Sequence, residues 1–326
     1  MSPRLQKLLK VSLTLLLLAL VLPRIDYRAL GHAFGALNLL EVLTLALLAC
    51  LQQVLLTKRF AAILTYFEAS LGLESTNRLL ALLLDQQVGT AYNIVLPSTV
   101  GGDVMRALRA QERVSGPSSA RSAVVWSAVL LDRIVGLLAL VIVPLLGLLL
   151  GAGPKSGVLL QTTLAIVLVL LPLMLFAGRL FFVLARLTKN RSARLYKLSN
   201  EVGQVLESTS WAVRLQALGW SLAYQLSVNA FFHVAAAAFS IPLAAALPAI
   251  WIGIPLVFVL STLPVTIGGL GLRESLFVGL LGLCGVAAAE ALALALVWSV
   301  QGLLTAGIGL VTLWCERLPG RAASAE

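Results

Sequence analysis

Long uncharged apolar runs constrain this chain more than any other feature. Val11–Leu22, Leu39–Leu56, Val158–Ala177 and Ala287–Trp314 carry almost no charge, and runs on this scale suit the roughly 30 Å of hydrocarbon in a bilayer. Of the 326 residues, 12% are charged and 60% are apolar. A soluble domain ordinarily has about twice that charged share, so too few polar residues remain to make a polar skin. The chain reads as an all-α polytopic membrane protein, a single transmembrane domain over 1–326. The first run lacks a small-x-small cleavage site and more apolar runs follow it, so it reads as a retained helix rather than a signal peptide.

The net charge of +10 would suggest nucleic acid in a soluble protein. Here it is the cytoplasmic excess of Lys and Arg that fixes topology, and no nucleic-acid partner is expected. Arg4, Lys7 and Lys10 precede the first run, and Lys58 and Arg59 directly follow the second, over 39–57. The stretch "FAAILTYFEASLGLEST" then reads as an interfacial helix and turn. The densest basic segment holds Arg179, Arg186, Lys189, Arg191, Arg194 and Lys197. It reads as a cytoplasmic loop over about 179–210 whose charge suits anionic headgroups. These markers place both termini in the cytoplasm, in a cell inner membrane. Cys50, Cys284 and Cys315 show no disulfide or metal spacing, and His32 and His233 show no partner pattern. No metal and no cofactor are expected.

One phrase is written twice. "LPSTVGGDVMRAL" begins at Leu96 and "LPVTIGGLGLRES" at Leu263. Pro97 and Pro264, Thr99 and Thr266, Gly101-Gly102 and Gly268-Gly269, and Arg106 and Arg273 stand at matched offsets. Each phrase interrupts a unit of short apolar helices, at about 79–112 and 247–283. Proline removes a donor and clashes with the preceding turn, while paired glycines allow non-helical dihedrals and close approach. The freed backbone groups must be buried in protein or face a water-filled cavity, and a Thr hydroxyl can satisfy one of them. A helix restarting after the glycines points its positive end at the break, where an anion is favoured. The charge markers make the two units enter from opposite sides, as inverted broken helices of transporters do. The expected architecture is about six full spans plus two inverted re-entrant hairpins, or eight spans if both hairpins cross fully.

The ionisable residues beside the breaks are the site candidates, because such groups are costly in a membrane. Asp103 and Arg106 share a helix face, and a guanidinium can grip a phosphate in two prongs. Asp103 could equally cap its helix. Arg273 and Glu274, adjacent in sequence, each need a partner elsewhere. Asp132-Arg133 reads either as an ion pair cluster that locks helices or as a polar lining. Asp85, Gln86 and Gln87 read as lining or as interfacial residues, and Glu290 as a helix-start acid.

The segments "LLTKRFAAILTYFEASLG", "NIVLPSTVGGDVMRALRAQE", "SAVLLDRIVGLLAL" and "LPVTIGGLGLRESLFVGL", in this order, resemble the lysylphosphatidylglycerol synthase transmembrane region family, also described as flippase-like. The likeness covers roughly residues 8–316. It implies that Pro97, Gly101, Gly102 and Arg106 stand in that family's Pro…Gly…Arg segment. Asp132-Arg133 corresponds to its acid-Arg pair, and Pro264, Gly268, Gly269, Gly271, Arg273 and Glu274 to its late Pro…Gly…Arg-Glu segment. The family frequently has Glu near Asp103, which leaves that residue's role open. Its best-understood members add a soluble aminoacyl-transferase domain. This chain ends soon after its last span, so no synthase activity is expected.

The resemblance implies flipping of a phospholipid or a lipid-linked anionic molecule between leaflets. Its partners would be membrane lipids, anionic or phosphate-bearing, and a homo-oligomer is left open. The alternative is a secondary transporter of a small soluble solute, proton-coupled through Asp103, Asp132 or Glu274. No G-x-x-x-x-G-K-[ST] segment offers an ATP site, and no nucleophile constellation points to an enzyme.

Overall fold

The computed structural model describes residues 31, 35, 37–74, 76, 79–95, 101–152, 157, 161–162, 164–166, 168–169, 172, 176–188, 193–262 and 271–317. Among them are 11 α-helices. Four helical segments, Leu39–Ser70, Ser118–Leu149, Leu243–Ser261 and Ala288–Glu316, are long and apolar enough to cross a membrane. The expected first span at Val11–Leu22, and most of the expected span over 157–178, lie outside the described residues.

Helix α1 (Leu39–Ser70) opens with a reciprocal cap: Asn38 Oδ1 accepts from the Glu41 N–H and the Glu41 carboxylate accepts from the Asn38 N–H, both at 2.9 Å. Such a box satisfies donors that helix geometry leaves orphaned. The helix then continues unbroken through Lys58-Arg59, so a break after residue 57 and a separate interfacial helix do not occur. The reason is packing. Phe60, Ile63, Leu64 and Phe67 recur at helical spacing and are fully buried, so the apolar stripe that starts after Arg59 has protein to face. At 32 residues the helix is about 48 Å long, well beyond the hydrocarbon thickness.

Helices α2 (Leu79–Val95) and α3 (Gly101–Glu112) flank the first break. Residues 85, 86 and 89 of α2 face 109, 106 and 102 of α3. Numbers that fall on one helix as they rise on the other mean antiparallel packing. Helix α4 (Ser118–Leu149) follows Pro117. Helices α5 (Ala177–Thr188) and α6 (Ala193–Glu207) occupy the strongly basic segment. Gly178 lies beside Glu207 and Phe182 beside Gly203, so the segment expected as a loop is an antiparallel helical pair. Both helices are amphipathic, and their apolar faces need cover.

Helix α7 (Trp211–Ala238) starts at Ser210, whose hydroxyl oxygen accepts from the Val213 N–H. It runs antiparallel to α1, pairing Ser221 with Arg59 and Ser227 with Gln52. Its 28 residues suit a span by length, but it is not among the four apolar segments. Its Ser221, Gln225, Ser227 and Asn229 are buried against neighbouring helices, so its polar residues face protein. Helix α8 (Leu243–Pro248), a π-helical turn (Ala249–Gly253) and α9 (Ile254–Ser261) form one continuous rod. Helix α10 (Leu272–Gly282) packs on that rod near Gly253 and Leu281, and α11 (Ala288–Arg317) closes the bundle. The Ala287 N–H donates to the Glu290 carboxylate, which bears out the helix-start role of that acid.

Two apolar cores sit at opposite ends. One joins α1 after Arg59 to α3, the first half of α4, α6 and the start of α7. The other joins the second half of α7 to α8–α11 around Phe232, whose ring lies 5.4 Å from Trp298 and 5.8 Å from Phe277. Among the described residues, the basic side chains gather toward the first end, and Arg273 alone lies on α8–α10.

Candidate functional site

The site begins with glycine. Helices α2 and α3 touch where Gly89 faces Gly102, and a Cβ on Gly102 would overlap the Gly89 carbonyl oxygen. The Gly102 N–H donates to Asn93 Oδ1 at 2.8 Å, which satisfies one orphan donor of the first turn of α3. This contact draws the two helices together so that α3 presents Asp103 and Arg106 to the bundle.

Arg106 is 5% exposed and almost fully engaged. Its Nη1 donates to Gln86 Oε1 at 2.7 Å and its Nη2 to Asp132 Oδ2 at 3.0 Å. The guanidinium lies over the Phe60 ring, 4.3 Å from the centroid. Asp103 Oδ1 is 3.6 Å away, the i,i+3 pairing anticipated from spacing. The Nε of Arg106 is buried with no partner among the described residues. A grip with two free prongs is therefore absent in this state. Any anion reaching Arg106 must displace one of these partners.

Asp132 is the hub. Its second oxygen accepts from Arg59 Nε at 2.6 Å, and Arg59 Nη1 donates onward to Ser221 Oγ at 3.2 Å. One carboxylate thus ties α1, α3 and α4 together, with α7 held through Arg59. This is the helix-locking arrangement, one of the two readings open for Asp132-Arg133. Arg133 points the other way: its Nε donates to Asp103 Oδ2 at 2.5 Å while 46% of its side chain stays exposed. A charge buried without a partner is costly, so removing Asp132 from between Arg59 and Arg106 would destabilise the bundle.

A second carboxylate repeats the pattern nearby. Asp85, fully buried on α2, accepts from Arg109 Nε at 2.6 Å and from both terminal nitrogens of Arg113. Arg109 also forks onto the Glu316 carboxylate of α11, at 2.8 and 2.6 Å. Among the described residues, five arginines meet four acids. Next to this network runs a chain of amides: Gln87 Nε2 donates to Gln53, and Gln301 Nε2 to Gln52.

The second unit is built differently. Gly271 adopts φ 75°, a conformation that favours glycine, and its N–H donates to the Glu274 carboxylate at 2.8 Å. Glu274 is buried and closes the first turn of α10. Its partner is backbone rather than a basic side chain. Arg273 makes no ion pair among the described residues. The structure thus unites Asp103, Arg106, Asp132 and Arg133 and leaves Arg273 and Glu274 outside that network. Pro97, Thr99, Pro264, Thr266, Gly268 and Gly269 lie outside the described residues.

Reasoning from the chain alone missed Arg59, Arg109, Arg113 and Glu316. Only Arg59 left a usable signal, the apolar stripe that continues beyond it at helical spacing. The partners of Asp85 are visible only once α2 and α3 are folded against each other. Among the described residues, no group of three or more His, Cys, Asp or Glu could hold a metal ion.

A family model described as the lysylphosphatidylglycerol synthase TM region matches residues 7–309. No curated protein and no solved structure matches the chain significantly.

Proposed function

Because this chain belongs to the lysylphosphatidylglycerol synthase TM region family, we propose that it moves a phospholipid, or a lipid-linked anionic molecule, between membrane leaflets. The match is to the transmembrane region, which favours movement of a lipid over its synthesis. The observation that carries the reading is the arginine–carboxylate network that α2 and α3 make with α1, α4 and α11. Five guanidiniums against four carboxylates leave room for one further negative charge. A phosphate that replaces a carboxylate at a guanidinium keeps the cation paired, and charge-assisted contacts of this kind are strong and directional.

Arg133 is the entry point, being half exposed and held, among the described residues, by Asp103. A headgroup phosphate exchanges with Asp103 there, and Arg106, three residues from Asp103, meets the same phosphate next through its unpartnered Nε. Asp132 and Arg59 hold the surrounding helices while this exchange occurs. The two broken units act as inverted re-entrant hairpins, and backbone N–H groups near Gly101, Gly102, Gly268 and Gly269 add anion-binding donors. Thr99 and Thr266 supply hydroxyls at the breaks, Pro97 and Pro264 keep the breaks open, and Arg273 with Glu274 forms the far side of the path. Acyl chains stay in lipid throughout. The basic end faces the cytoplasm of an inner membrane, with both termini on that side.

The test is reconstitution into liposomes with labelled lipids on one leaflet. Wild-type protein should speed leaflet exchange of at least one phosphate-bearing lipid. Arg133→Ala, which removes a half-exposed contact, should abolish that exchange at an unchanged melting temperature, and Arg106→Lys should reduce it. If no lipid tested exchanges faster than in protein-free liposomes, the reading is wrong.

A further inference from the structure

A second cluster of charge lies away from the buried network, where α5, α6 and the start of α7 meet α4. A cavity of about 240 Å³ opens there, with Arg179, Arg214 and Glu207 on its wall. No ion pair joins Glu207 to either arginine. The guanidinium of Arg214 lies over the Trp211 ring at 5.1 Å and that of Arg179 over Phe176 at 5.6 Å. Arg214 spends one nitrogen on the Leu206 carbonyl, at 2.7 Å, and its buried Nε has no partner among the described residues. Two cations and one anion thus share a cavity without neutralising one another.

The surroundings say what kind of molecule could do so. Trp211 is 63% and Phe176 47% exposed, and Leu180, Val183, Leu184 and Leu187 of α5 are exposed as well. Aromatic side chains of this sort settle at the headgroup level of a bilayer. The cavity is smaller than the roughly 300–1,000 Å³ of drug-sized sites, which suits a lipid headgroup and excludes the whole lipid. The N-terminus of α7 opens onto it, which favours a phosphate.

We infer that this cavity binds the headgroup of an aminophospholipid, with the phosphodiester on Arg179 and Arg214 and the primary ammonium on Glu207. Leu131 and Ile134 form the inner wall. They flank Asp132 and Arg133 on the same turn of α4, so the cavity and the buried network lie on different faces of one helix. The inference needs only binding and stands whether or not lipid is translocated.

The test uses the full chain in nanodiscs and Trp211 as the reporter, its share of the fluorescence taken as the difference between wild type and Trp211→Phe. Phosphatidylethanolamine, phosphatidylglycerol and phosphatidylcholine with brominated acyl chains serve as quenchers. Phosphatidylethanolamine should quench at about tenfold lower mole fraction than phosphatidylcholine, the worth of roughly one charge-assisted hydrogen bond. Glu207→Gln should erase that preference and leave quenching by phosphatidylglycerol intact. Arg179→Ala with Arg214→Ala should weaken quenching by all three lipids, which share the phosphodiester, and the paired Lys variants should restore part of it. Equal quenching of the Trp211 signal by phosphatidylethanolamine and phosphatidylcholine overturns the inference. So does a preference for phosphatidylglycerol over phosphatidylethanolamine, or full displacement by soluble phosphoethanolamine, which would assign the cavity to a free metabolite.

Discussion

At the scale of single residues, Asp132 carries the most weight. It is 2% exposed and receives Arg59 and Arg106 on its two oxygens. Asp132→Asn leaves two buried guanidiniums facing a neutral amide, and such a break costs about 3–5 kcal/mol. The expected result is a large fall in the melting temperature of the detergent-solubilised protein. Arg133→Ala removes a half-exposed pair, worth about 0–1 kcal/mol, and should leave the melt almost unmoved. Equal falls for the two variants would mean that the hub is misidentified. Asp103, Arg106 and Asp132 were legible in the sequence because a charge beside an apolar run is expensive and rarely idle. Arg59 was legible only through the apolar stripe that continues beyond it, since its position at the end of an apolar run by itself suits a membrane edge as well as a buried partner. Asp85 needed the α2–α3 fold to find Arg109 and Arg113, which no local spacing reveals.

At the scale of elements, glycine decides how close the helices come. A Cβ on Gly102 would overlap the Gly89 carbonyl oxygen, and one on Gly309 of α11 would overlap the backbone of α2 at Gln87. Gly102→Ala and Gly309→Ala should each cost about 1–3 kcal/mol, as overpacking does. Gly302, also on α11, has nothing within 4 Å of such a Cβ. Gly302→Ala should be neutral or stabilise by up to about 1 kcal/mol, the helix-propensity difference. Thermal melts of the three variants check this, and a Gly302→Ala loss as large as that of Gly102→Ala would refute the packing argument. The reversal between α2 and α3 shows in their antiparallel packing, but the helix does not restart after the glycines: Gly101 and Gly102 form the first turn of α3, and Pro97 lies outside the described residues. The length of α1 was misjudged because Lys58-Arg59 looked like a stop. The basic segment was taken for a loop on charge alone, although its apolar residues recur at helical spacing and form α5 and α6.

At the scale of the whole molecule, charge is segregated along the bundle. The exposed Glu112 lies at the basic end and the exposed Ala287 at the other. In a background with Cys50, Cys284 and Cys315 replaced, Glu112→Cys should react with a membrane-impermeant maleimide only from the cytoplasm, and Ala287→Cys only from outside. Labelling of both from one side would contradict the proposed orientation. Too little polar surface pointed to a membrane protein, and uninterrupted apolar runs of about 20 residues pointed to helices rather than to the alternating strands of a barrel. The two separate cores were beyond such signals, since they depend on which distant helices pair. The extra length of α1 has a consequence in time. Its first half, with Leu39, Leu40, Leu43 and Leu47 exposed, can enter lipid as soon as it leaves the ribosome. Its second half shelters Phe60, Ile63, Leu64 and Phe67 against Val124, Val202, Leu206 and Ala217, which are made later. Waiting for the last of these, about 150 residues further on, at about 5–20 residues per second takes roughly 8–30 s. Arg59 meets Asp132 only 73 residues after it, about halfway through that interval, so the stripe gains its cover in stages, from α3 and α4 first and from α6 and α7 last.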